Sequence, residues 1–151
     1  MTNAKVLSAL RNGLQPLICI GETAEERDSG AGTKVVERQV AIALRGVEDT
    51  RARDVLLAYE PVWAIGASGM AATPDYVNEV LMQIRGVVEG LLGIKAARSM
   101  HILYGGSVNR DNAAILSVQP ELDGLFIGRS GWEVDSFIQL IRVIEDARRS
   151  W

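Results

Sequence analysis

The chain has 151 residues, which is enough for one domain with a sizeable core. Its hydrophobic fraction of 48%, charged fraction of 23% and net charge of -3 exclude the basic surface that attracts nucleic acid or anionic membranes. No apolar run reaches the roughly 20 residues of a membrane span, and no signal-peptide core follows Met1, so we expect a cytosolic protein. Cys19 and His101 are each the only residue of their type, so neither a disulfide nor a metal site is expected.

The first part of the chain alternates helical and strand patterns. Apolar residues at helical spacing predict helices over residues 3–10 and 34–44. Continuous apolar runs predict buried strands over residues 16–20 and 54–59. The polar, glycine-containing residues 21–33 are predicted to form a loop with one acidic turn.

The second part continues the same alternation. Thr73 as N-cap and Pro74 at the first helical position mark the start of a long helix. The elements predicted here are a helix over 73–92, a strand over 101–104, a helix over 111–116, a strand over 123–127 and a helix over 134–148.

The order of elements predicts an α/β fold in one domain. Strands that are apolar throughout and separated by helices favour a parallel sheet covered on both faces. The regular recurrence of the strand–helix unit favours a (β/α) barrel over an open sheet. Four such units make half of an eight-stranded barrel.

Polar and small residues follow every predicted strand. Glu22 follows the first strand and Glu60 the second, while glycine-containing turns occupy residues 105–109 and 128–130. In parallel α/β folds these carboxyl ends form the active face. Glycines there allow backbone amides to approach an anion such as phosphate, so the sequence predicts an anion site beside a carboxylate.

Each of these features also has a purely structural interpretation. The turn at residues 105–107 is more often only a tight turn, and a strand-terminal Glu60 can equally serve as a helix cap or ion-pair partner. Cys19 is predicted to be a buried, inert thiol, and His101 to support the fold at the opposite end of its strand. Residues 25–28 are expected to form a solvated face.

The run Ala58–Gly66 distinguishes these interpretations. A strand that ends in Glu60 and continues into Pro61, Trp63 and small residues is typical of a catalytic base beneath a closing lid. This run resembles the active-site strand and lid of the triosephosphate isomerase family, and the resemblance extends over essentially the whole chain. Further motifs that match the family in the correct order are residues 19–23, 72–74, 103–109 and 119–128.

The resemblance implies that residues 1–151 are one partial TIM-barrel domain. It would be the C-terminal half of a (β/α)8 barrel, from the fourth helix to the eighth strand and the final helix. The family's substrate-side Asn and Lys lie on its first strand and its electrophilic His on its fourth, all before the segment seen here. We therefore expect the chain alone to be inactive, and its partner to be a missing N-terminal half or a second copy in a homo-oligomer.

The resemblance also assigns roles to individual residues. Glu60 would be the catalytic base that moves a proton between adjacent carbons of a phosphorylated sugar. The residues that would bind the phosphate are Gly66, Ser107, Gly128 and Arg129. The residues that would support the lid are Glu22, Trp63 and Tyr104. No metal and no organic cofactor are implied.

Two departures from the family pattern bear on the substrate. Arg129 stands where the family usually has a second glycine, and the lid tip at residues 67–71 is one residue longer and lacks the usual Lys. Triosephosphate isomerase, a homodimeric cytoplasmic enzyme of glycolysis and gluconeogenesis, is the first prediction. An erythrulose-phosphate isomerase is the alternative, because a longer lid and an added cation suit a larger sugar phosphate. A non-catalytic half-barrel assembly or sugar-phosphate-binding module is the alternative of another class.

Overall fold

The computed structural model describes residues 1–66 and 69–150. Ala67 and Ser68 of the predicted lid tip, and Trp151 at the end of the predicted domain, lie outside the described residues. The elements in chain order are α1 (Thr2–Arg11), β1 (Leu17–Ile20), α2 (Ala24–Asp28), α3 (Gly32–Leu44), β2 (Leu56–Tyr59), α4 (Pro74–Leu92), α5 (Ile94–Ser99), β3 (His101–Tyr104), α6 (Ala113–Ser117), β4 (Gly124–Leu125) and α7 (Val134–Arg149). Short 3-10 helices occupy Asp49–Asp54, Val62–Ala64 and Arg129–Gly131.

The four strands form one parallel sheet in the order β1-β2-β3-β4. Backbone hydrogen bonds continue the ladder one residue beyond the strands, from the amide of Glu60 to the Ile20 carbonyl at 2.7 Å and from Gly105 to Tyr59 at 2.9 Å. A third bond joins the amide of Phe126 to the Tyr104 carbonyl at 2.8 Å. All four carboxyl ends therefore meet at one edge of the sheet.

The helices cover one face of the sheet. Each strand pairs with its sequence neighbour, and right-handed crossovers between successive parallel strands place every connecting helix on the same side. Burial follows this arrangement: Ile18 and Ile20 are 4% exposed, whereas Leu17 and Cys19 on the opposite face are exposed. The buried side chains that strands β2 and β3 add to the helix-covered face are Leu57, Tyr59, Ile102 and Tyr104.

Two predictions about burial are therefore wrong. Within the described residues the sheet is covered on one face only, because all the connecting helices fall on the same side. Cys19 is exposed rather than buried, because the alternation along β1 directs its side chain to the uncovered face.

Several elements form where local sequence signals place them. Thr73 accepts a hydrogen bond from the Tyr76 amide at 3.3 Å and Pro74 begins α4, as predicted. The strand His101–Tyr104 also has its predicted bounds, and the final helix ends one residue later than predicted.

The largest local differences from the predictions are three. The loop predicted over residues 21–33 contains α2, which a capping box between Thr23 and Glu26 starts. Helix α5 was not predicted; it follows Gly93, whose φ of 87° ends α4. Strand β4 has two residues instead of the five predicted, and it pairs with β3 through those two residues alone.

Candidate active site

Glu60 lies at the carboxyl end of β2, half-buried at the centre of the sheet's edge. Its position depends on a glycine on the next strand end. A Cβ at Gly105 would stand 2.7 Å from Cγ of Glu60, so no larger residue fits there without displacing the carboxylate. Glu60 and Gly105 line a cleft of about 260 Å³ together with residues 65–66, 126–129 and 132. The cleft thus brings a carboxylate and the glycine turns of three loops into one space.

Cys19 lies on the neighbouring strand, near the Glu60 carboxylate. Partial desolvation, followed by interaction with the Glu60 carboxylate, raises the pKa of Cys19 to about 12. The thiol therefore stays protonated near neutral pH and is not a nucleophile.

Glu22 is the hub of a buried hydrogen-bond cluster behind Glu60. Its side chain is 1% exposed, and its Oε1 accepts a hydrogen bond from Trp63 Nε1 at 2.7 Å. The same oxygen accepts from the hydroxyls of Tyr59 at 3.0 Å and Tyr76 at 3.2 Å. Burial, reinforced by the Glu22 charge, raises the pKa of both tyrosines, so each remains a donor to the carboxylate.

Two further side chains fix the indole of Trp63. The Tyr76 ring packs edge-on against it with centroids 5.6 Å apart. The Arg27 guanidinium lies over the indole at 4.2 Å from the ring centroid. Arg27 is therefore not part of a merely solvated face, and for this residue that prediction is wrong, because α2 turns its side chain onto Trp63.

The residues proposed for phosphate binding converge at the start of the predicted lid. The Ser107 hydroxyl donates to the Ala64 carbonyl at 2.8 Å, and Arg129 Nη2 donates to the Gly66 carbonyl at 2.5 Å. Gly66 has a φ of 84°, which strongly favours glycine. Gly128, exposed, precedes the short 3-10 helix Arg129–Gly131. Because the two side chains contact lid backbone, what this region can offer an anion is mainly backbone amides.

Tyr104 lies between the sheet and Ala72, at the far end of the predicted lid. It is 1% exposed, and its hydroxyl makes no hydrogen bond of normal geometry to the described residues. Burial raises the pKa of Tyr104 to about 12, while the Ala72 backbone beside it acts in the opposite direction. Its hydroxyl also lies against Gly106, where any Cβ would overlap it. Its role as a lid latch stays a prediction.

Sequence reasoning missed Tyr59, Tyr76 and Arg27. Tyr59 carried one signal, a polar hydroxyl in an otherwise apolar strand, which needs a buried partner. Tyr76 carried none, since 54 positions separate it from Glu22. Among the described residues, no group of three or more His, Cys, Asp or Glu side chains could hold a metal ion. No described helix is both long and apolar enough to cross a bilayer.

Comparison with known proteins identifies the family to which this arrangement belongs. The family model described as triosephosphate isomerase matches residues 1–144. The chain belongs to the triosephosphate isomerase family. It is 50% identical over 145 residues to an L-erythrulose-1-phosphate isomerase of Rhizobium etli, covering 95% of this chain and 52% of that protein. It is 46% identical over 144 residues to an L-erythrulose-1-phosphate isomerase of Rhizobium meliloti, covering 95% and 55%.

A triosephosphate isomerase is similar to nearly the same degree. The protein of that name from Citrifermentans bemidjiense is 45% identical over 143 residues, covering 95% of this chain and 57% of that protein. The chain thus spans about half the length of the curated relatives it matches.

Proposed function

We propose that the chain is the C-terminal half of a sugar-phosphate aldose–ketose isomerase with a (β/α)8 barrel, and that residues 1–151 form one partial barrel domain. Membership of the family and coverage of about half of each relative support this proposal. The singly wound sheet supports it too, because closing such a sheet into a barrel would cover its open face.

The edges of the sheet support a partner that completes the barrel. At the β1 edge Leu14 and Leu17 are 63% and 38% exposed. At the β4 edge the outer helix α7 exposes Phe137, Ile138 and Ile141. Exposed parallel edges flanked by apolar side chains favour association with another segment. We propose the family's N-terminal half as that segment and, for the completed enzyme, a cytoplasmic homodimer acting in glycolysis and gluconeogenesis.

The position of Glu60 in the cleft carries the proposed chemistry. In the proposed reaction its carboxylate takes a proton from the hydroxyl-bearing carbon next to the substrate carbonyl, leaving an enediolate. A proton passes from the hydroxyl oxygen to the former carbonyl oxygen, and Glu60 returns its proton to the former carbonyl carbon. The Cys19 thiol, held protonated beside Glu60, adds no second negative charge to this end of the cleft. The group that polarises the carbonyl would come from the N-terminal half, to which the resemblance assigns a His.

The phosphate would bind at the other end of the cleft. The amides of Gly66, Ser107, Gly128 and Arg129 are the proposed donors, and the Arg129 guanidinium adds positive charge nearby. The buried hub at Glu22, with Trp63, would position the lid, and Tyr104 would latch its far end. Enclosure by the lid excludes water and protects the enediolate.

Two substrates remain candidates for the same chemistry. A triose phosphate is the family's eponymous substrate, and the Citrifermentans relative bears that name. Erythrulose 1-phosphate is favoured by a specific observation: Arg129 replaces the family's usual glycine at the phosphate end, and two relatives at 50% and 46% identity are named for that sugar phosphate.

Complementation tests the proposal. The chain would be co-expressed with the N-terminal half of the Rhizobium etli relative, and kcat/KM would be measured for dihydroxyacetone phosphate and L-erythrulose 1-phosphate. We expect turnover by the complemented barrel, none by the chain alone, and none with Glu60→Gln. Tight phosphate binding without turnover of either sugar, in a folded complex, would favour the non-catalytic binding module instead.

A further inference from the structure

Arg129 connects two loops that lie far apart in the sequence. Its Nη2 donates to the carbonyl oxygen of Gly66 at 2.5 Å, across 63 positions of the chain. Arg129 opens the short 3-10 helix after β4, whereas Gly66 follows Trp63 at the start of the lid. The contact therefore joins the end of the last strand to the segment that must close over the cleft.

We propose that Arg129 is a positioning residue that latches the lid through the Gly66 backbone. The consequence for sugar-phosphate enclosure depends on the proposed function, but the latch itself does not. The bond holds the carbonyl oxygen of Gly66, a residue whose φ of 84° is otherwise easily changed. An anchor on this carbonyl restricts the backbone next to the Gly66 amide, the proposed phosphate donor.

The other hydrogen bonds of this segment are neutral, and one of them is long. The Ser107 hydroxyl donates to the Ala64 carbonyl at 2.8 Å, and the Met70 amide donates to Trp63 at 3.1 Å. The Gly69 amide reaches the Gly66 carbonyl at only 3.4 Å. Charge-assisted hydrogen bonds are stronger than neutral ones, so the guanidinium is the donor whose loss should most loosen this turn.

The same guanidinium lies beside the space proposed for the phosphate. Gly66, Gly128 and Arg129 line one cleft with Glu60, and a guanidinium has five N–H donors of which the Gly66 carbonyl takes one. A phosphate in this cleft would therefore accept hydrogen bonds from the remaining donors and hold the guanidinium in place while it also bonds the Gly66 carbonyl. Lid closure and anion binding should then favour each other.

Amide hydrogen exchange measured by mass spectrometry on the 151-residue chain tests the latch. The reporter is the peptide that contains the Gly69 and Met70 amides. Arg129→Met keeps much of the side-chain length but removes the donor, and should speed exchange of this peptide about two- to tenfold. Arg129→Lys, which retains a cationic donor, should restore part of the protection.

Arg110→Met is the matched control. Arg110 is exposed in the loop after β3 and lines a separate cleft with Asp111 and Ser136. The substitution therefore removes the same charge at the same end of the sheet, away from the lid peptide. It should leave exchange of the lid peptide unchanged. Equal exchange in the Arg129 and Arg110 variants, or wild-type exchange of this peptide at the rate of an unstructured chain, would overturn the proposal.

Inorganic phosphate separates the latch from the proposed function. Phosphate should slow exchange of the lid peptide in the wild-type chain and do so less in Arg129→Met. If phosphate has no effect while Arg129→Met still speeds exchange, the latch stands and phosphate binding fails. In the complemented barrel, Arg129→Met should raise KM more than it lowers kcat, and Arg129→Lys should reverse part of that rise; a fall in kcat alone would contradict a latch.

Discussion

The hydroxyl of Tyr76 donates to Oε1 of Glu22 at 3.2 Å, joining the first turn of α4 to the loop after β1. Trp63 donates to the same oxygen at 2.7 Å. Since Trp63 precedes the lid and Tyr76 follows it, one buried carboxylate holds both ends of that segment. The two ends of the predicted lid are therefore anchored to the sheet by one buried polar cluster, and the cluster makes a direct prediction for Glu22.

Glu22→Gln should destabilise the fold by about 2–3 kcal/mol, because it replaces the charged acceptor of three donors with a neutral one and places an NH2 group at the Oε2 position, against the Tyr59 hydroxyl. Tyr76→Phe removes one donor and leaves two, so it should cost only about 1 kcal/mol. Urea unfolding of the two variants measures the difference. Equal costs would mean that the carboxylate does not organise this cluster.

Glu60→Gln should lower kcat of the complemented barrel by about 10²–10⁴ without preventing phosphate binding, because the amide cannot accept the proton. Steady-state kinetics and a phosphate-binding titration check the two halves of this expectation. Glu89→Gln, on the exposed side of α4, is the control for loss of a carboxylate. A kcat within twofold of wild type would assign Glu60 to a structural role.

Gly105→Ala should lower kcat of the complemented barrel by a larger factor than it changes the equilibrium constant for unfolding. The reason is that its Cβ would stand 2.7 Å from Cγ and 2.9 Å from Oε1 of Glu60. Gly90→Ala is the matched control: Gly90 lies inside α4 with nothing within 4 Å of an added Cβ. Alanine there should stabilise the chain by up to about 1 kcal/mol. Unchanged kcat in Gly105→Ala would show that the Glu60 carboxylate tolerates displacement.

Tyr104→Phe tests whether the Tyr104 hydroxyl holds the predicted lid or whether the residue only packs in the core. The buried hydroxyl has no hydrogen bond of normal geometry to the described residues, so its removal should leave stability unchanged or raise it by about 1 kcal/mol. If Tyr104 latches the lid, turnover of the complemented barrel should nevertheless fall. Thermal unfolding and kcat are measured on the same variant, and a loss of stability with unchanged kcat would remove the latch role.

Cys19 should react slowly despite its exposure. Its pKa is raised from 9.0 to about 12 by desolvation and by Glu60, so alkylation by iodoacetamide at pH 8.5 should be about tenfold or more slower in the folded chain than in urea. It is the only cysteine, so total modification reports this site alone. Equal rates in the two states would show that Glu60 does not hold the thiol protonated.

The raised pKa of Cys19 also predicts how the stability of the fold depends on pH. Because the folded-state pKa lies above the unfolded value, the folded chain binds the thiol proton more tightly. The resulting stabilisation is fully present below about pH 9 and is lost as pH rises toward 12. Cys19→Ala should flatten this alkaline part of the stability curve, and an unchanged curve would contradict the assignment.

The sequence by itself determined the elements whose causes are local. Thr73 and Pro74 start α4 because a capping side chain and a fixed φ act within one turn. The strand His101–Tyr104 follows from a short apolar run between turn residues. The motifs around Glu60 and residues 103–109 likewise pointed to the family that the comparisons establish.

Only the tertiary structure decided which face of the sheet is covered and which distant residues meet. The sequence pattern of an apolar strand does not show whether one face of the sheet or both faces are packed. The exposure of Cys19 therefore depends on where the crossover helices lie. The contacts of Tyr76 with Glu22 and of Arg129 with Gly66 span 54 and 63 positions. No local pattern encodes such pairs, because they exist only once strand order and the parallel register bring the loops to one edge.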